Sequence, residues 1–288
     1  MQTAAQKLRS LINSKKHTIA PGVYDGISAL LAKRAGFQAV YASGGAIARS
    51  MGYPDIGLLS LTEVCAAVAR IVDAAGELPV IADADTGFGN ALNARRAIRE
   101  FERTGAAAVH IEDQTFPKRC GHLNDKTLIS MDEMCHKLHV VKESLIDPDF
   151  VIIARTDAIA VEGFDKAIER AQAYLAAGAD MVFVEAPETV EQIEEIARRI
   201  SQPKLINMFF GGKTPLVATA RLEELGYSIT IIPSDLQRAA IKSMQDTLST
   251  IARFGDSAKM AEQMTSFQDR ELLVETAKYF KIDQLKKS

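Results

Sequence analysis

Short Val/Ile-rich runs alternate with longer stretches of helical periodicity along most of the chain. The apolar runs occupy residues 18–24 (TIAPGVY), 38–45 (QAVYASGG), 78–85 (LPVIADAD), 107–113 (AAVHIED), 150–157 (FVIIARTD), 181–186 (MVFVEA), 204–209 (KLINMF) and 229–233 (ITIIP). Their hydrophobicity is nearly continuous rather than alternating, as in strands of a parallel sheet buried on both faces. Between them lie amphipathic patterns such as 25–36 (DGISALLAKRAG), 93–105 (NARRAIREFERTG), 165–178 (DKAIERAQAYLAAG) and 214–226 (TPLVATARLEELG). Most end in a glycine suited to the left-handed position after a helix. Asp25 is a good N-cap for the first, and Thr214 followed by Pro215 is expected to cap the last. Strand and helix repeated eight times predict an α/β protein with a (β/α)8 TIM barrel over residues 1–254. Residues 2–15 read as one extra helix before the first strand. Residues 255–288 read as a helical extension that packs on its own barrel or reaches across to a partner subunit. Because periodicity alone does not show closure, a doubly wound open sheet is the alternative fold.

Composition narrows the function classes. The 288 residues are 47% hydrophobic and 25% charged, with a formal net charge of -3. The only basic cluster is the C-terminal LKKS, too short to bind a phosphate backbone, so neither nucleic acid nor an anionic membrane is expected as a partner. No apolar run reaches the length of a membrane span. The first residues lack the apolar core of a secretory signal, and a cytoplasmic location is the expectation. Cys65, Cys120 and Cys135 are scattered and odd in number, which predicts reduced thiols.

In a barrel of this kind the side chains at the C-terminal ends of the strands face the active site. Those ends carry Ser43, Gly44 and Gly45 after the second strand, Asp83 and Asp85 on the third, Glu112 and Asp113 on the fourth, Arg155 and Asp157 on the fifth, Glu185 on the sixth, Asn207 on the seventh and Ser234 after the eighth. Like charges packed in a partly buried site are costly without a cation among them, so Asp83, Asp85 and Glu112, joined by Asp55 from the preceding loop, are candidate metal ligands. All-oxygen donors favour Mg²⁺, or Mn²⁺, over Zn²⁺. Arg155 either neutralises one of these acids or clamps a substrate carboxylate, and its planar fork favours the clamp.

The segment 112–126 (EDQTFPKRCGHLNDK) forms a connection of about 15 residues where 2 to 6 is usual, the length of a functional lid. Within it Lys118, Arg119 and a protonated His122 would favour the thiolate of Cys120, leaving a group able to donate or accept a proton. Zinc ligation by Cys120 and His122 lacks a second Cys/His pair. Cys65 and Cys135 read as packing thiols, and His110 as a satisfied strand or core histidine. Tyr41 is either a barrel-filling aromatic or a hydroxyl pointing into the mouth.

These motifs, YASGG, PDIGLLSLTEV, IADADTGFGN, HIEDQ, KRCGH, IIARTDA, EGFDKAIERAQAY, AGADMVFVEAPE and GGKTP, occur in order over residues 18–235 and are similar to those of the isocitrate lyase and phosphoenolpyruvate mutase superfamily. The resemblance implies a Mg²⁺-dependent barrel enzyme acting on 2-hydroxy or 2-oxo di- and tricarboxylates. It also implies a homotetramer, a dimer of dimers whose subunits exchange their last barrel helix. KRCGH resembles the branch that breaks carbon–carbon bonds (2-methylisocitrate and 2,3-dimethylmalate lyases, oxaloacetate acetylhydrolase) and argues against phosphorus chemistry. The large insertions of true isocitrate lyases are absent. By this resemblance Tyr41 takes the proton of the 2-hydroxyl, Cys120 protonates the enediolate left after C2–C3 cleavage, and Arg119 with the lid excludes water. Ser43, Gly44, Gly45, Gly121, Arg155, Asn207 and Thr214 orient the carboxylates. One departure is Phe210, which stands where the related lyases carry a glutamate and predicts a drier pocket with an altered substrate. A hydrolase or decarboxylase of oxaloacetate on the same metal, or a non-catalytic barrel that binds a dicarboxylate, are the competing readings.

Overall fold

In the computed structural model, which describes residues 2–121 and 125–284, the eight apolar runs become eight parallel strands. These are β1 (Thr18–Val23), β2 (Val40–Ala42), β3 (Val80–Asp83), β4 (Ala108–Glu112), β5 (Val151–Thr156), β6 (Met181–Val184), β7 (Lys204–Asn207) and β8 (Tyr227–Ile232). They pair in chain order, and β8 returns to β1 to close the barrel, which disposes of the open-sheet alternative. The ladder sets Asp83 beside His110, Glu112 beside Arg155 and Asn207 beside Ile231.

Because successive side chains of a strand point to opposite faces, each strand divides its residues between barrel interior and helix layer. Tyr41, Ile81, Ala108, Val151, Ile153, Met181, Phe183, Leu205, Ile229 and Ile231 share one buried interior cluster. Val40, Ala82, Val109, Ile111, Ile152 and Ala154 pack outward against helices, as do Val182, Val184 and Ile206. One residue further along each inner row the lining turns polar, with Asp83, Glu112, Arg155, Glu185 and Asn207 all buried. The far end is stopped by the helix Ala4–Asn13, whose Leu8 is fully buried in the interior cluster. Thr3 caps that helix through a reciprocal bond with Gln6.

Asp25 caps Gly26–Arg34, its carboxylate accepting from the Ser28 amide at 2.7 Å. Gly105, at φ 84°, ends Ala91–Thr104 in the left-handed conformation. Thr214 does not act as the expected cap. The last barrel helix before β8 is only Thr219–Glu224, Ala218 precedes it without a side-chain cap, and residues 208–218 carry no regular structure. Pro215 therefore starts no helix.

The chain divides into two compact units, Met1–Asp235 and Leu236–Ser288. The helix Asp235–Phe254 thus falls almost wholly with the C-terminal unit, whereas the sequence pattern groups it with the barrel. Within that unit Gly255 (φ 81°) breaks the chain before a 3-10 turn at Ala258–Gln263 and the helices Phe267–Leu273 and Thr276–Gln284. Among the described residues no helix is long and apolar enough to cross a membrane.

Candidate active site

The polar top of the barrel is a cage of opposite charges. Arg155 reaches Asp157 with Nε at 2.9 Å and Nη2 at 3.1 Å, Glu112 with Nη1 at 3.2 Å and Glu185 with Nη2 at 3.4 Å. Its guanidinium also lies 5.2 Å from the centre of the Phe183 ring. Asn207 donates to Glu185 at 3.4 Å. Burial works against the charge of Arg155, but Asp157, Glu112 and Glu185 hold its pKa well above the ordinary value. The neutralising role of Arg155 is thus realised, whereas the clamp favoured from sequence would have to share nitrogens already engaged by three acids.

On the next strands Tyr41 stacks on His110 with ring centres 5.6 Å apart. The Tyr41 hydroxyl donates to Asp83 Oδ2 at 3.2 Å and lies 2.8 Å from His110 Nε2. Burial and Asp83 raise the phenol's pKa well above its usual value, so at neutral pH it is uncharged. Burial lowers His110 to about 4 against the pull of Asp83, so the imidazole is neutral as well. Burial alone would raise Asp83, yet His110, Lys118 and Arg155 hold it below the ordinary carboxylate range. With His110 neutral, Lys118 and Arg155 are the standing charges that keep Asp83 ionised.

Gly44 and Gly45 have no Cβ for a local reason. A Cβ on Gly44 would stand 2.7 Å from Asp83 Oδ2, and one on Gly45 2.6 Å from Asp55 Oδ2. The two glycines let the start of the helix Gly44–Ser50 approach the acids, while Ser43 caps that helix by accepting from the Ala46 amide at 3.3 Å.

The long connection after β4 lies over this cage. Its stem is a short antiparallel contact between Gln114 and Leu128, reinforced where Gln114 exchanges two hydrogen bonds with the Arg119 backbone at 2.8 and 2.9 Å. Lys118, 4% exposed, turns inward to Asp55 at 2.6 Å and Asp85 at 2.9 Å. Lys126 turns inward to the Gly121 carbonyl at 2.5 Å and Asp157 at 2.8 Å. A Cβ on Gly121 would overlap Arg155 Nη2 and stand 2.8 Å from Glu185 Cγ, so the Cys120–Gly121 segment rests directly on the cage. Arg119 pairs with Asp125 at 3.6 Å in solvent. Cys120 is part-buried and none of the three cysteines forms a disulfide. His122 lies outside the described residues.

The four candidate metal ligands share the mouth but are interleaved with cations. Among the described residues no three Asp, Glu, His or Cys side chains converge closely enough to hold a metal ion. Their chemistry nevertheless suits one. Glu112 is fully buried and, among the described residues, neither carboxylate oxygen accepts a hydrogen bond. Burial raises its pKa well above the ordinary range against the pull of Arg155 and Lys118. Burial, then Asp83 and Asp55, push Asp85 up to about 6 despite Lys118. These are oxygen donors short of positive charge, the environment a hard divalent cation relieves.

Phe210 does not dry the pocket. Its ring is 70% exposed on the turn after β7, and its amide donates to Asp235 at 3.2 Å. Thr214 is buried, and its hydroxyl makes no hydrogen bond among the described residues. Sequence reasoning marks Asp157 and Glu185 as strand-end polar residues without giving them a role, and it misses Lys126. The available signal for Lys126 is a lysine inside an otherwise loop-like segment that leads into the helix Met131–Glu143, which does not by itself report burial.

Residues 8–252 match the family described as phosphoenolpyruvate phosphomutase. The chain is 45% identical over 270 residues to a 2,3-dimethylmalate lyase of Eubacterium barkeri, covering 93% of each chain. It is 45% identical over 268 residues to a 2-methylisocitrate lyase of Aeropyrum pernix, covering 91% of this chain and 85% of that one. Among solved structures, an oxaloacetate acetylhydrolase in complex with 3,3-difluorooxalacetate superposes with a TM-score of 0.92 at 30% identity, covering 98% of this chain and 96% of that chain.

Proposed function

The chain belongs to the phosphoenolpyruvate mutase and isocitrate lyase superfamily and is a carbon–carbon lyase, and from this we propose that it cleaves a 2-hydroxy di- or tricarboxylate of the 2,3-dimethylmalate or 2-methylisocitrate type into a 2-oxoacid and a carboxylate. The observation that carries the proposal is the seating of the Lys118–Gly121 segment over a buried cage in which Glu112 pairs with Arg155 and Asp85 with Lys118. Lys118 on that segment and Arg155 beneath it are cations able to stabilise a doubly charged carboxylate, and Cys120 belongs to the same segment.

Asp85, Glu112 and Asp83, with Asp55 beside them, would hold Mg²⁺, which when bound acidifies a 2-hydroxyl and neutralises charge on the adjoining carboxylate. Tyr41, uncharged at neutral pH, serves as a relay: its hydroxyl receives the substrate proton as its own passes to the neutral His110 imidazole, whose Nε2 lies 2.8 Å away. The electron pair of the C2–C3 bond moves onto C3 as the C2 oxygen becomes a carbonyl. The carbanion, delocalised into its carboxylate, lies under Arg155 and Lys118 and takes a proton from the Cys120 thiol. No oxidant or reductant is needed. Thr214, Asn207, Ser43 and the glycines after it orient the remaining carboxylates, and the seated segment keeps water away.

Hydrolysis of oxaloacetate is the second reading, favoured by the TM-score of 0.92 to oxaloacetate acetylhydrolase. Purified protein with Mg²⁺ is incubated with 2,3-dimethylmalate, 2-methylisocitrate and oxaloacetate, and products are identified by mass spectrometry. The lyase reading expects a 2-oxoacid from one of the first two, abolished by EDTA and by Cys120→Ser. Turnover of oxaloacetate alone supports the hydrolase, and full turnover by Cys120→Ser removes the thiol from the mechanism.

A further inference from the structure

Lys126 belongs to none of the roles above, yet it is among the most deeply buried cations of the molecule, with its side chain 1% exposed. Among the described residues its ammonium makes two contacts of different kinds. It donates to the Gly121 carbonyl at 2.5 Å, and it donates to Asp157 Oδ1 at 2.8 Å. Asp157, fully buried, is the same carboxylate that holds Arg155 through Nε and Nη2. Arg155 in turn pairs with Glu112 and Glu185. A continuous line of charge-assisted bonds therefore runs from the backbone beside Cys120, through the Lys126 ammonium, to the guanidinium at the centre of the cage.

Two other contacts of this segment act at different points along it. The Gln114–Arg119 bonds fix the stem, and Lys118 ties the chain to Asp55 and Asp85 on the β2–β3 side of the mouth. Gly121 sits on the opposite side, against Arg155 and Glu185, so close that no Cβ is accommodated. A carbonyl at such a position stays down only if something draws it there, and a buried ammonium shared with a carboxylate is a strong acceptor-specific tether. Burying that ammonium is costly unless both partners are in place, so the tether holds both ends at once: releasing Gly121 leaves Lys126 short of a partner.

We propose that Lys126 is a positioning residue that latches the Cys120–Gly121 segment to the Asp157–Arg155 pair, setting the thiol at a fixed height above the cage. Its effect on turnover rests on the reading of Cys120 as the proton donor; the latch itself does not.

The test uses the full-length, Mg²⁺-supplied enzyme and follows each cysteine separately. Iodoacetamide labelling is quenched at intervals and the peptides bearing Cys65, Cys120 and Cys135 are quantified by mass spectrometry, so that two cysteines serve as references in the same sample. Lys126→Met is expected to raise the Cys120 rate at least tenfold with the other two unchanged, and to lower kcat at least tenfold while KM moves less than threefold. Lys126→Gln repeats the measurement if the methionine variant does not fold. Asp157→Asn should expose Cys120 similarly, and the double variant should add little to either, because both remove one link. A Cys120 rate within twofold of wild type in the lysine variants overturns the latch, as does a parallel rise at all three cysteines, which would mark general loosening. If Cys120→Ser keeps full turnover while Lys126→Met still exposes Cys120, the proton-donor reading fails and the latch stands. Loss of turnover in Cys120→Ser with unchanged labelling in Lys126→Met overturns the latch and leaves the proton-donor role in place.

Discussion

Replacing Gly121 by alanine adds one methyl group at the point where the loop touches the cage. The new Cβ would overlap Arg155 Nη2 and stand 2.8 and 2.9 Å from Cγ and Cδ of Glu185, against about 3.5–4.0 Å for ordinary contact. Neither neighbour can give way cheaply. Arg155 is held by Asp157 at 2.9 and 3.1 Å and by Glu112 at 3.2 Å, and Glu185 is 1% exposed. Forcing a methyl group into a packed position costs about 1–3 kcal/mol, and the cost falls on the seated arrangement alone because a lifted loop escapes the clash. About 1.4 kcal/mol is a factor of ten, so kcat/KM should fall roughly five- to 150-fold. The barrel core is untouched, and the melting temperature should move by less than about 3 °C. Steady-state kinetics on the substrate found active, with a thermal melt on the same preparation, reads both. A kcat/KM within twofold of wild type would refute the placement of Gly121 on Arg155 and Glu185.

Asp157 supplies a pH signature. Burial alone would raise its pKa, yet Arg155 and Lys126 bring it down to about 2. A depressed carboxylate contributes stability that is full above its unfolded pKa near 3.9 and lost as pH falls from there toward 2. The difference of about two units corresponds to about 2–3 kcal/mol, so urea unfolding should find Asp157→Asn destabilised by at least this much at about pH 7, with the gap narrowing below about pH 4; a gap independent of pH would contradict the ion pairing. Thr214→Val removes a buried hydroxyl with no hydrogen bond among the described residues, and it should leave stability within about 1 kcal/mol while raising KM about tenfold. Unchanged KM would exclude contact with substrate. In the C-terminal unit Met244 and Leu248 are 55% and 65% exposed on the helix Asp235–Phe254, an apolar surface suited to burial against a second copy. Sedimentation should find a tetramer for the wild type and smaller species for the double replacement of Met244 and Leu248 by glutamate, and a wild-type monomer would end the expectation of helix exchange.

The barrel is legible in the sequence because its signal is local and repeated. Eight runs such as VIIART and MVFV are apolar on both faces, and each overlaps an observed strand with its ends within three residues. The helices fail to follow where a local rule meets a competing demand. At Thr214 and Pro215 a good cap and first-turn pair stand in sequence, but the hydroxyl is buried and the chain stays irregular until Thr219. Cap chemistry cannot report such burial, because capping requires only a neighbouring amide whereas burial depends on residues far along the chain. Phe210 misleads for a related reason. Its chemical contrast with glutamate is real, but a residue's type says nothing about which way a turn faces, and here the ring points to solvent.

The site is legible as an inventory and not as a wiring diagram. Strand-end position alone selects Asp83, Glu112, Arg155 and Asn207, since the two-residue period places them on the inner face one step above the apolar lining. What each one pairs with is set by loops that return across long stretches of chain: Lys118 to Asp55 over 63 residues, and Lys126 to Asp157 over 31. Sequence proximity assigns the charges near Cys120 to the thiol, because it is the only distance a sequence offers. In the folded chain Lys118 reaches Asp55 and Asp85, Arg119 reaches Asp125, and Lys126, five residues beyond Gly121 in the chain, donates to the Gly121 carbonyl. The redistribution follows from energetics. A buried acid such as Asp85 or Asp157 carries a far larger desolvation penalty than a part-exposed thiol, so the loop's ammonium groups lie where they offset the most. The Cys120 segment is thus tied to the acids of the cage through these two lysines, and removing Asp85 or Asp157 should displace it.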